Sequence, residues 1–146
     1  MKALNYLKMI EKMDAQIESD LLELSRLETL ATKTTSVLGG ERVQSSSSQE
    51  KMADCVAMII DMQAQLNDDI DKFIDFKLEA RELIAKSCDA DCCKLLHKRY
   101  FHYQTWEQIA VEMGYTYQWV SDRRKGLHGR ALEQLQKGLD ERNGND

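Results

Sequence analysis

Residues 105–124 read TWEQIAVEMGYTYQWVSDRR, and the fold of the C-terminal part turns on how this stretch is parsed. Thr105 and Gln108 have the spacing of a capping box, in which the threonine oxygen accepts the Gln108 amide and the glutamine side chain reaches back to the Thr105 amide. A helix is therefore predicted from Trp106. Ile109, Ala110 and Met113 recur at one-turn spacing, and Gly114 stands where a left-handed C-cap would close the helix after about two turns. Tyr115 is placed to plug the turn with its ring. Thr116 is a second N-cap candidate, and Val120, one turn on, is placed to pack against Ile109 and Ala110. The parsing is helix, turn, helix.

In a DNA-binding unit of this kind the second helix enters the major groove and the first crosses the backbone. Thr105 opens the first helix, while Thr116, Tyr117, Gln118, Ser121 and Asp122 stand where side chains meet base edges. Arg123, Arg124 and Lys125 follow at once and suit phosphate contacts, which position a protein without reading sequence. The plainer alternative is a small helical hairpin that only packs on another protein. A small Ala, a turn Gly and three flanking cations at these offsets favour DNA.

The run TWEQIAVEMGYTYQWV (105–120), followed by LHGRALEQL (127–135), resembles the fourth region of bacterial sigma factors, a helix-turn-helix that touches promoter DNA near the minus-thirty-five element. KALNYLK (2–8), TKTTSVLGGERVQSS (32–46) and KMADCVAMIIDM (51–62) extend the resemblance to a family of small phage-encoded, sigma-factor-like transcriptional regulators from Gram-positive hosts. The resemblance covers nearly the whole chain. It implies a regulator acting on phage late-gene promoters, with double-stranded DNA as ligand and RNA polymerase as a candidate partner. Two departures stand out: Arg123 occupies a position where the pattern has an aliphatic residue, and the next apolar residue is delayed to Leu127, as though about one helical turn of roughly 3.6 residues had been inserted. Both a longer second helix and a break at Gly126 and Gly129 fit this spacing.

Outward from this stretch, composition sets the limits. The chain has 146 residues, 31% of them charged, with no Pro, seven Gly and few aromatics, the balance of long, exposed helices. No strand-like alternation stands out. There is no apolar run near the roughly 20 residues of a membrane span and no signal-like start, so a cytoplasmic protein is expected, in the host cytoplasm if phage-encoded. The net charge of −5 is unevenly spread. Residues 1–90 hold 11 Lys or Arg against 17 Asp or Glu, whereas residues 94–130 hold 7 against 3. A nucleic-acid surface must therefore be local and C-terminal.

Residues 2–36 carry a stripe through Leu4, Leu7, Ile10, Met13, Ile17, Leu21, Leu24, Leu27 and Ala31, and residues 50–85 a second through Met52, Val56, Ile59, Ile60, Leu66, Ile70, Phe73, Ile74, Leu78 and Ile84. Each predicts one long helix spanning roughly 50 Å. Between them LGGERVQSSSSQ (38–49) predicts a flexible connection. Two arms of equal length so joined should fold back antiparallel, burying stripe on stripe, and a homodimer through this hairpin is a further candidate association. SCDAD (87–91) breaks the second arm and offers N-cap oxygens for a third helix over residues 92–100. The expected architecture is all-α: a hairpin over 1–86, a helix-turn-helix domain over 87–137, and a polar tail over 138–146 prone to fray.

Other chemistry is sparse. Cys88, Cys92, Cys93 and His97 crowd one helix start, whereas a structural zinc site pairs close ligands across a longer loop; reduced, metal-free thiols are expected. No nucleophile elbow, Gly-rich phosphate loop or His-Glu-x-x-His motif occurs, so neither an enzyme nor a cofactor is expected. Beside the regulator stands one other reading, a phage assembly or DNA-packaging protein like a small terminase subunit, which also joins a helix-turn-helix to an oligomerising hairpin.

Overall fold

The structure is a computed structural model that describes residues 1–40 and 46–145, with the side chains of residues 1–33 and 49–145. Every element is helical: α1 (Ala3–Gly40), α2 (Ser46–Ser87), α3 (Ala90–Leu96), a π-helical turn (His97–Phe101), α4 (Trp106–Met113), α5 (Tyr117–Ser121) and α6 (Leu127–Gly144). The protein is all-α, and no helix among the described residues is long and apolar enough to cross a membrane.

Both long helices run further than their stripes. The connection expected over 38–49 is helical at 38–40 and at 46–49, and its remaining residues, 41–45, lie outside the described ones. Gly39 and Gly40 end α1 and three serines open α2, where their low helix propensity costs least because few helical bonds lie beyond them.

The chain divides into two compact units, but not at residue 86. Met1–Met13 and Ile74–Asp146 form one, and Asp14–Phe73 the other. The expected boundary is displaced because both ends of the predicted hairpin belong to the C-terminal core. In the first unit Leu7, Ile10, Ile84, Leu95, Leu96, Ile109, Val120, Leu127, Leu135 and Leu139 are fully buried. The Ala3 amide donates to Gln136 Oε1 (2.8 Å), Gln136 Nε2 donates to the Met1 carbonyl (3.2 Å), and the Tyr6 and Phe76 rings lie 5.0 Å apart. Fixing the first turns of α1 against α6 thus brings residues more than 130 positions apart into one core.

The first two residues of the tail expected to fray belong to that core, whereas residues 140–145 are exposed. α6 continues to Gly144, with Gly138 and Leu139 buried. Leu135 and Leu139 sit one turn apart on the inner face, and a β-carbon at Gly138 would stand 1.8 Å from Ser87 Oγ, so the residue that reads as a breaker is what lets α6 approach the end of α2.

In the second unit Cys55 Sγ of α2 lies 3.9 Å from the Leu27 carbonyl of α1, and Gln63 Nε2 donates to Glu28 Oε1 (3.4 Å). Among its described residues only Ile17 and Leu66 are buried apolar side chains. Leu21, Leu22, Leu30, Val56, Met58 and Ile60 remain exposed, Leu22 by 74% and Ile60 by 58%. Of these, Leu21, Val56 and Ile60 lie on the predicted stripes, whereas Leu22, Leu30 and Met58 lie off them.

Candidate nucleic-acid interface

The α4–α5 segment is built by local chemistry that the sequence spells out. Thr105 Oγ1 accepts the Gln108 amide (3.2 Å) while Gln108 Oε1 accepts the Thr105 amide (2.9 Å), so the capping box is complete and α4 starts at Trp106. It ends at Gly114, whose φ of 72° and ψ of 29° lie in the left-handed region that favours glycine. Thr116 then caps α5 by accepting the Trp119 amide (3.2 Å). Ile109, Ala110 and Val120 are buried between the two helices and the rest of the unit.

Tyr115 behaves differently from the expectation that its ring fills the turn. It is 41% exposed, and its hydroxyl donates to Asp91 Oδ2 (2.6 Å), tying the turn to the start of α3. That bond to a carboxylate raises the phenol above its ordinary range, because ionising it would set two negative charges together.

α5 is only five residues long and stops at Asp122, so the extra residues before Leu127 form a loop rather than a longer helix. Gly126 explains the break. A β-carbon there would lie 2.3 Å from the Trp119 carbonyl oxygen and 2.8 Å from the Asp122 β-carbon. The Asp122 carbonyl accepts the Gly129 amide (3.0 Å), and a β-carbon at Gly129 would meet the Arg123 carbonyl at 2.5 Å. Both glycines let α6 begin directly beneath the end of α5.

Of the nine residues singled out for DNA, four (Tyr117, Gln118, Arg124 and Lys125) form one short exposed strip. Thr105 and Thr116 are exposed, but each hydroxyl is engaged as a cap. Tyr117, at 48%, and Gln118 project from the first turn of α5, and Arg124 and Lys125 are exposed just beyond its end. Ser121 is half-buried and its hydroxyl donates to the Tyr117 carbonyl (2.8 Å), which turns it away from base reading. Asp122 is likewise committed locally: Oδ1 accepts the Arg124 amide (2.8 Å) and the Lys125 amide (3.4 Å), and these bonds, with the two cationic side chains, hold its carboxyl below the usual range. Asp122 therefore helps to shape the basic loop. Arg123 leaves the strip and lines a separate cavity with Arg99 and His128.

No protein-family model, curated protein or solved structure matches this chain. Its function must be read from its own residues.

Three side chains near the strip have no signal in the sequence. Trp119, 40% exposed, borders a shallow groove with Tyr115, Thr116 and Arg130. Arg99 stacks on Trp106, its guanidinium carbon 4.6 Å from the ring centre, and donates to the Gln104 carbonyl (2.9 Å). His128 is 3% exposed; its Nε2 shares a 2.8 Å hydrogen bond with the Tyr100 hydroxyl, and the Trp106 ring lies 4.6 Å away. Burial first, then the charges of Arg123 and Arg99, push this imidazole down to about 4, while burial lifts Tyr100 to about 12. Both are neutral at pH 7 and act as the polar pin of the core behind α4 and α5. A histidine in LHGRAL says nothing of this, since its partners sit 22 and 28 residues away.

The cysteines serve the α2–α3 junction. Cys93 Sγ lies 3.4 Å from the carbonyls of both Ile84 and Cys88, and Cys88 Sγ lies 3.9 Å from the Ala131 carbonyl. Burial raises Cys88 and Cys92 to about 12, so both thiols are protonated at pH 7. Asp89 caps α3 through Cys92 and also accepts from Gln134 and Arg130, which lowers it to about 2.

Proposed function

We propose that this chain is a DNA-binding transcriptional regulator, similar in its C-terminal module to sigma factor region four and acting on phage promoters, with RNA polymerase as its partner there. The observation that carries the reading is the strip of Tyr117, Gln118, Arg124 and Lys125: an amide and an aromatic at the start of a capped short helix, with two exposed cations directly after it. Glutamine can pair bidentately with adenine, and exposed Arg and Lys serve phosphates. The acidic arms limit non-specific affinity, because they repel the DNA backbone at low salt.

Roles separate by measurement. Gln118→Ala should cost about 1–3 kcal/mol at one base position and relax preference there. Arg124→Ala should weaken binding to all sequences alike and make the salt slope shallower by about one unit. Equal loss on specific and random duplexes in both variants would count against base reading by α5.

A second reading draws on the uncovered apolar side chains of Asp14–Phe73: the arms associate with other copies of the chain. A dimer fits a regulator that binds paired half-sites, whereas a ring of many subunits in light scattering would favour a phage assembly or DNA-packaging protein.

A further inference from the structure

Behind α4 and α5 lies a cavity of about 360 Å³ that the DNA reading does not use. Lys8 and Glu11 of α1, Arg99 of the π-helical turn, Tyr103, Trp106 and Arg123 line it, with Tyr100 and His128 beside them. Its size falls in the range of small-ligand sites. Three cations face one carboxylate. Among the described residues none of Lys8, Arg99 and Arg123 forms an ion pair, although ion pairs do form nearby, at Lys98–Glu112 and Arg130–Asp89. Arg99 is held in place by its stack on Trp106 and its bond to the Gln104 carbonyl, so its planar fork is oriented before any ligand arrives. Tyr103, at the cavity edge, has a φ of 53°, a conformation non-glycine residues adopt at a cost and which recurs at ligand sites.

Unpaired cations, an oriented guanidinium and two aromatic rings around one opening are the chemistry of phosphate recognition with a flat group beside it. We propose that this cavity binds a phosphate group, presented either by a free nucleotide or by the backbone of a DNA strand. The site does not depend on base reading by α5, since Lys8 comes from the opposite end of the chain. Glu11 opposes the anion and sets an upper limit on affinity.

The test uses the full chain with Trp119→Phe, which leaves Trp106 as its sole tryptophan. Its emission is followed at low ionic strength during titration with adenosine 5′-monophosphate, with adenosine, and with a short blunt duplex. A change that saturates near or below about 1 mM monophosphate, with none from adenosine, supports the site and assigns it to a free nucleotide. Response to the duplex alone supports it as a DNA-backbone contact. In either arm Lys8→Gln and Arg123→Gln should each weaken binding by about tenfold, as expected for loss of a charged hydrogen bond, with unchanged circular dichroism. Glu11→Gln should tighten it severalfold, an effect that no purely structural role for these residues would produce. No response to any phosphate, equal response to adenosine, or affinity unmoved by Lys8→Gln, Arg123→Gln and Glu11→Gln would overturn the proposal.

Discussion

Replacing His128 by Gln should flatten the acid side of the stability curve. In the folded chain the imidazole is 3% exposed and pushed down to about 4, whereas a free histidine titrates near 6.5. Above pH 6.5 it is neutral in both states and the shift has no effect on pH dependence. As pH falls from 6.5 to about 4, the unfolded chain takes up a proton that the folded chain refuses, so stability is lost across that window and no further below it. The displacement corresponds to about 3 kcal/mol. His97, also depressed by burial and by Arg81, likewise removes stability as pH falls below the ordinary histidine range, and Asp89, at about 2, contributes only under stronger acid. The comparison must therefore be between wild type and His128→Gln, not within one protein. Urea unfolding followed by tryptophan emission suits it, because Trp106 lies against His128. Glutamine loses the ring contact and should lower stability at pH 7, but the gap to wild type should close by about 3 kcal/mol between pH 7 and pH 4. Parallel curves would refute the buried neutral histidine.

Other consequences follow from close approaches and uncovered faces. Gly126→Ala places a methyl carbon 2.3 Å from the Trp119 carbonyl oxygen, a contact only backbone movement can relieve; about 1–3 kcal/mol should be lost in thermal melting, and an unchanged midpoint would contradict the packing of α5 on α6. Leu66→Ala removes one of two buried apolar side chains among the described residues of Asp14–Phe73 and should cost about 2–5 kcal/mol in that unit, read as helicity lost at lower temperature. Leu22→Asp with Ile60→Asp should lower the mass seen in sedimentation equilibrium, and a wild-type chain already monomeric at high concentration would end the association reading.

What was legible in the sequence was what local chemistry decides. The α4 cap depends on Thr105 and Gln108, three residues apart, and its end on Gly114, so residue type and spacing suffice to place both. The break after Val120 was half-legible: Gly126 and Gly129 argued for it, but their need arises from the approach of α6 to the Trp119 and Arg123 carbonyls, which no spacing encodes. The ordered C-terminal end has the same origin. GLDERNGND is polar on average, yet Leu139 is buried and Gly138 is what Ser87 leaves room for. The stripes on α1 and α2 continue across residues 13–14 and 73–74 without a change in period, so the division into two units is invisible in them. Which apolar residues are covered depends on partners brought by α6, far away in sequence. Among the nine candidate DNA residues, Ser121 and Asp122 make local backbone bonds that their spacing did not announce, as short polar side chains beside a helix end do.

The central claim, that the strip from Tyr117 to Lys125 binds double-stranded DNA, is tested most directly by selection from sheared DNA of the chain's own genome at low ionic strength, with and without RNA polymerase, followed by sequencing. The account expects recovery of a small set of related promoter-proximal sites, lost at one base position with Gln118→Ala and weakened throughout with Arg124→Ala. Recovery of no fragment under either condition would contradict it and leave α4 and α5 as a surface for docking protein.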